Sequence, residues 1–104
     1  KMAALARRAG VALRPHAKTH KSLAIARMQL DAGAIGLCCT KLGEAEVLAS
    51  GGIDSILITS PVVSAPAMER LTALNSRIGD LMVAVDNPAN VAALSAAIRE
   101  RSLN

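Results

Sequence analysis

The chain has 104 residues, 52% of them apolar and 19% charged, with a formal charge of +4 and no Phe, Tyr or Trp. That balance is too hydrophobic for a disordered segment, and no uncharged run reaches the roughly 18 residues a membrane helix needs, so a globular protein without membrane partners is expected. The missing aromatics leave Ala, Leu, Ile, Val and Met to build the core, and they weigh against nucleic acid as a partner, since such interfaces commonly stack bases on aromatic rings.

In chain order, "KMAALARRAG" reads as the closing turns of a helix ended by Gly10. The chain is therefore expected to be an internal piece of a longer protein. Apolar runs with strand character follow at residues 10–18, 34–40, 55–63 and 80–87, among them "GVALRPHAK" and "AIGLCCT". Helical spacing fills the intervals at 22–33, 41–52 and 64–77, and the last helix spans 88–102. Gly33, Gly51, Gly52 and Gly79 stand after helices, Ser22 where an N-cap belongs, and Pro88 at a helix start. Alternating units of this kind imply a parallel sheet with right-handed crossovers. "SILIT" and "LMVAV" are apolar on both faces, as a covered parallel sheet requires. Neither GxGxxG nor GxxxxGK[ST] occurs, which disfavours an open nucleotide-binding sheet. The expected class is α/β: a partial (β/α)8 TIM-type barrel of about four βα units over residues 1–104.

Charge is concentrated early. Residues 1–27 carry seven Lys or Arg and no acid, whereas the rest carry five against eight. A basic opening quarter suits a phosphate-bearing partner, polymer or small cofactor. Within "RPHAKTHKS", strand alternation puts Arg14, His16 and Lys18 on one face and Leu13, Pro15 and Ala17 on the other. A row of cations inside a sheet is costly unless paired or hydrated, and a site at the strand's C-terminal end, where β/α barrels assemble their chemistry, resolves that cost. Lys18 is expected at this mouth, partly buried, so that its neutral amine serves as a nucleophile toward a carbonyl. Lys21 reads as a solvated loop lysine. His16 and His20 are also consistent with structural histidines, because an HxxxH spacing pairs metal ligands only on a helix and Pro15 opposes one. Glu44 and Glu46 suit the positive end of a helix. Thr59 and Asn87 fall at strand ends where ligands gather, and Asp86 is a candidate cap for the last helix. Adjacent Cys38 and Cys39 suit neither a routine disulfide nor a zinc site; they read as small strand residues of a reducing, cytoplasmic protein.

The blocks "RPHAKTHK" and "CCTKLGEAE", with nearly all the chain around them, resemble the N-terminal barrel of the D-threonine aldolase and D-serine dehydratase family, fold-type III pyridoxal phosphate enzymes related to alanine racemase. The resemblance implies that Lys18 carries pyridoxal 5'-phosphate covalently, with Arg14 and His16 as cofactor neighbours. It implies a lyase acting on D-β-hydroxy amino acids, of the aldolase type (glycine plus an aldehyde) or the dehydratase type (an α-keto acid plus ammonia). A divalent metal is implied too, with ligands in a second domain outside these residues, as are phosphate-binding loops on later strands and a homodimer. The 104 residues alone are then expected to be inactive. A non-catalytic barrel that binds the cofactor, and a basic module for phosphate polymers, are the competing readings. A racemase of the same superfamily fits less well, because "HAKTH" lacks the "K-A-N-A-Y" texture of that lysine block.

Overall fold

The computed structural model describes residues 1–102. Helix α1 (Met2–Ala9) ends on Gly10, whose φ of 70° is the left-handed conformation that a side chain disfavours. Helix α2 (Leu23–Asp31) is capped as the sequence suggests, with the Ser22 hydroxyl accepting from the Ile25 N–H at 3.3 Å. Then follow β1 (Leu37–Cys39), α3 (Leu42–Ser50), β2 (Ser55–Ile58), α4 (Ala65–Asn75), β3 (Asp80–Val83) and α5 (Pro88–Ser102). Ser64 caps α4 by accepting from the Ala67 N–H at 3.2 Å. Asn87 serves the start of α5, its Oδ1 accepting from the Ala89 N–H at 2.8 Å. The capping expected of Asp86 therefore belongs to its neighbour, and Asn87 is engaged in the helix start.

The three strands form one parallel sheet in the order β1-β2-β3, with Leu37 opposite Ile56 and Ile56 opposite Leu81. The expected α/β alternation is present, with a correction at its first unit. Residues 10–18 do not form a full strand; they run beside β1 and make a single parallel bridge, His16 to Cys38. Cys38 N–H donates to the Pro15 carbonyl at 2.8 Å and Ala17 N–H donates to the Cys38 carbonyl at 2.7 Å. The next ladder bond back would need an N–H at position 15, and proline has none. The other strands also end earlier than expected, β3 at Val83, although Ala84 N–H still donates to the Ile58 carbonyl at 2.8 Å.

Alternation decides the layers. Leu37 and Cys39 of β1 and Ile56 and Ile58 of β2 are fully buried against the helices, joined by Ala17, Ala45, Leu48, Leu71, Leu74 and Leu94 in one core. Each fully buried Leu or Ile contributes about 1.5–3 kcal/mol through loss of apolar area to water. Leu81 and Val83 pack on the same side. The opposite face of the sheet therefore carries Cys38, Ser55, Leu57, Thr59, Asp80 and Met82, together with Arg14 and His16 from the bridging segment. This is the face that would line a barrel.

Candidate active site

At the N-terminal edge of the sheet, the inner face is organised by Arg14. One guanidinium nitrogen donates to the Leu37 carbonyl at 3.4 Å and the other to the Ser55 hydroxyl at 3.0 Å. The Ser55 hydroxyl donates in turn to Asp80 Oδ2 at 2.7 Å, and Asp80 Oδ2 lies 3.8 Å from the guanidinium. The Arg14 side chain is 16% exposed and that of Asp80 57%, so the pair is half in water. Gly36 makes the crossing feasible: a Cβ there would collide with the Arg14 guanidinium and would stand 2.6 Å from the Ser55 carbonyl oxygen. Sequence reasoning missed Gly36, Ser55 and Asp80. Their signal lay in the register, since all three meet Arg14 in one row across the sheet, and register is not readable before the strands are paired.

One layer toward the C-terminal edge, His16 is held at both ring nitrogens. Its Nδ1 accepts from the Lys18 main-chain N–H at 3.2 Å, and its Nε2 faces Thr59 Oγ1 at 3.5 Å. Thr59 Oγ1 donates to the Cys39 carbonyl at 3.2 Å. Thr59, expected near a ligand, thus meets His16.

Lys18 follows, at the C-terminal end of the bridging segment. Its side chain is exposed, and among the described residues it takes part in no hydrogen bond or ion pair. Partial burial was expected. The backbone enters a turn at Lys18, directly after the bridging segment, and its side chain lies in water. After Lys18 the chain turns, Lys21 N–H donating to the Ala17 carbonyl at 2.8 Å, and Lys21 takes a φ of 50°, unusual for a residue with a side chain. His20 Nδ1 accepts from the Ser22 N–H at 2.9 Å, so His20 shapes the turn and stands apart from His16.

Arg14 and His16 share the inner face as alternation predicted, at different depths, while Lys18 stands in the turn that follows. Arg14 is committed to the N-terminal edge, His16 lies in the middle, and Lys18 alone reaches the C-terminal edge with a free side chain. "KLGEAE" behaves as a helix start. Glu44 Oε1 accepts from the Thr40 and Lys41 N–H groups, both at 2.9 Å. Burial would raise its carboxyl, but these two bonds, with the charge of Lys21, outweigh burial and hold it below the ordinary range. Glu46 instead pairs with Arg70 of α4, tying α3 to α4. Cys38 and Cys39 are free thiols. Burial pushes Cys39 up to about 12, aided by Glu44 and Cys38, and burial also raises Cys38 against the lowering effect of Arg14. No cluster of three or more His, Cys, Asp or Glu side chains able to hold a metal occurs among the described residues, and no described helix is long and apolar enough to cross a membrane.

Comparison with known proteins agrees with this architecture. The family described as "Alanine racemase, N-terminal domain" matches residues 1–104. A D-threonine aldolase from Arthrobacter sp is 44% identical over 97 residues, covering 93% of this chain and 25% of that protein. A 3-hydroxy-D-aspartate aldolase from Paracoccus denitrificans is 38% identical over 101 residues, 96% of this chain and 26% of that protein. A D-threo-3-hydroxyaspartate dehydratase from Delftia sp. (strain HT23) is 40% identical over 93 residues, covering 88% and 24%. The crystal structure of D-threonine aldolase from Filomicrobium marinum superimposes with a TM-score of 0.93 at 42% identity, covering 97% of this chain and 27% of that one. The chain thus spans about a quarter of the length of the relatives it matches. With a parallel βα sheet, a lysine at its C-terminal edge and a match running from the first residue to the last, this chain belongs to the alanine racemase N-terminal domain family.

Proposed function

We propose that the protein carrying this chain is a pyridoxal 5'-phosphate-dependent lyase acting on D-configured β-hydroxy amino acids, with Lys18 holding the cofactor. The observation that supports this reading is the place of Lys18: it directly follows the segment bridged to β1, near the C-terminal edge of a parallel sheet, with its side chain exposed. An anionic aldehyde needs a reachable amine and a positive environment, and Lys18 with the basic segment around it meets both requirements. When bound, the cofactor supplies an electron sink for negative charge at the substrate Cα, and the protein selects which bond breaks. Lys18 supplies the attaching amine. His16 accepts the Lys18 main-chain N–H, and Arg14 lies further toward the N-terminal edge of the sheet, adding positive potential that favours an anionic cofactor. The divalent ion and the homodimer are further parts of the proposal, and no described residue is assigned to the ion.

The aldolase branch is preferred on overall similarity, two of the relatives being named aldolases. The dehydratase branch is the second reading, favoured by the Delftia relative. There Lys18 takes the proton from Cα and the β-hydroxyl leaves. The test is product analysis of the whole protein on D-threonine and 3-hydroxy-D-aspartate: glycine with an aldehyde identifies the aldolase, and a 2-oxo acid with ammonia identifies the dehydratase. Borohydride treatment followed by peptide mapping must place the cofactor label on Lys18. A label on another lysine, or turnover retained by Lys18→Ala, overturns the proposal.

A further inference from the structure

We infer that His16 and Thr59 form a clasp that positions Lys18, with His16 acting through the lysine's main chain; the inference rests on Lys18 being the attachment residue. An Nδ1 that accepts the Lys18 N–H at 3.2 Å carries no proton, so the ring proton sits on Nε2. That N–H points to Thr59 Oγ1 at 3.5 Å, and the Thr59 hydroxyl, spending its proton on the Cys39 carbonyl at 3.2 Å, presents a lone pair to the ring. The donors therefore run in one direction, from Lys18 N–H to imidazole to hydroxyl to carbonyl. Each bond polarises the next. The chain of bonds ties the bridging segment to both β1 and β2.

Lys18 needs such a tie because of its surroundings. Pro15 prevents a continuous ladder behind it, and beyond it the backbone turns at once, with Ala17 accepting from the Lys21 N–H. The ladder ends at Ala17, whose N–H pairs with Cys38, and the next N–H, that of Lys18, goes to the imidazole. The imidazole thus fixes the last backbone bond before the lysine side chain departs, and with it the direction of Cα–Cβ. Without the clasp, the ordering of Lys18 must be supplied when the cofactor attaches, which weakens attachment by about the value of one net hydrogen bond, roughly tenfold.

The test uses the whole protein, stripped of cofactor and titrated with pyridoxal phosphate, with the lysine-bound absorption band and its circular dichroism read alongside thermal unfolding of the apoprotein. His16→Ala is expected to weaken apparent affinity about tenfold. His16→Asn keeps an acceptor the same number of bonds from Cα as Nδ1 and is expected to recover most of that loss, while Thr59→Val gives about a threefold loss with a weaker dichroic signal. Lys18→Ala abolishes the band altogether. An unchanged titration for His16→Ala, with Lys18→Ala losing the band, sinks the clasp and leaves the attachment reading standing. Equal loss in His16→Asn and His16→Ala also sinks it, because the acceptor would then not matter. Retention of the band in Lys18→Ala removes the attachment reading and the clasp with it. Should His16→Ala fail to fold, His16→Asn and Thr59→Val decide: near-wild-type affinity in the first with a measurable loss in the second supports the clasp, and any other pair of results overturns it.

Discussion

Replacing Gly36 with alanine tests the inner face at its tightest point. A Cβ there would stand 2.6 Å from the Ser55 carbonyl oxygen and 2.7 Å from its hydroxyl, with the Arg14 guanidinium closer still. Ordinary carbon–oxygen contacts start near 3.3 Å, so the backbone of β2 would have to retreat by about 0.7 Å and Arg14 would have to give way as well. Both responses are costly. Overpacking a fixed wall costs about 1–3 kcal/mol, and expelling Arg14 forfeits its hydrogen bond to Ser55, so a loss of about 2–4 kcal/mol is expected. Urea unfolding of the whole protein, with the midpoint falling at constant slope, measures this loss. In an Arg14→Ala background the cost should shrink by about 1 kcal/mol or more, because one of the two obstacles is gone. Gly10→Ala is the control: it has no atom within 4 Å of the added methyl and pays only for its φ of 70°, about 1–2 kcal/mol. If Gly36→Ala cost less than about 0.5 kcal/mol, the steric account of the Arg14 crossing would be wrong.

Glu44→Ala removes the acceptor for two main-chain N–H groups at the start of α3 and should cost about 1–2 kcal/mol, read by chemical denaturation. Because the folded protein depresses the Glu44 carboxyl, its stabilisation is complete above the ordinary value of 4.5 and fades as pH falls through the depressed folded value, so the gap between wild type and Glu44→Ala should close on acidification. Cys39, pushed up to about 12, should stay unreactive toward thiol reagents at pH 8 in the native protein and react fully in urea; since burial favours its protonated form, that contribution is present below the ordinary value of 9.0 and is lost as pH rises toward 12. Arg70→Ala, breaking a solvent-screened ion pair between α3 and α4, should leave the denaturation midpoint close to that of the wild type.

Much of the fold could be read along the chain because its signals are local. Ser22 and Ser64 mark helix starts by their own hydroxyls, Gly10 marks a helix end by its backbone, and the apolar run "SILI" declares a strand, although its burial on one face only is seen in the structure. Alternation also put Arg14, His16 and Lys18 on one face, where the structure has Arg14 and His16. The sequence could not assign their depths. That Arg14 is spent on Ser55 and Asp80 follows from strand register, which brings together residues 41 and 66 positions downstream, and that His16 meets Thr59 follows from the same pairing. The first strand shrank to a bridge because one missing N–H at Pro15 matters only when a partner strand asks for it. Local chemistry thus determined which elements form and which face each residue takes; long-range pairing, decided by burial of the sheet against its helices, determined which side chains meet.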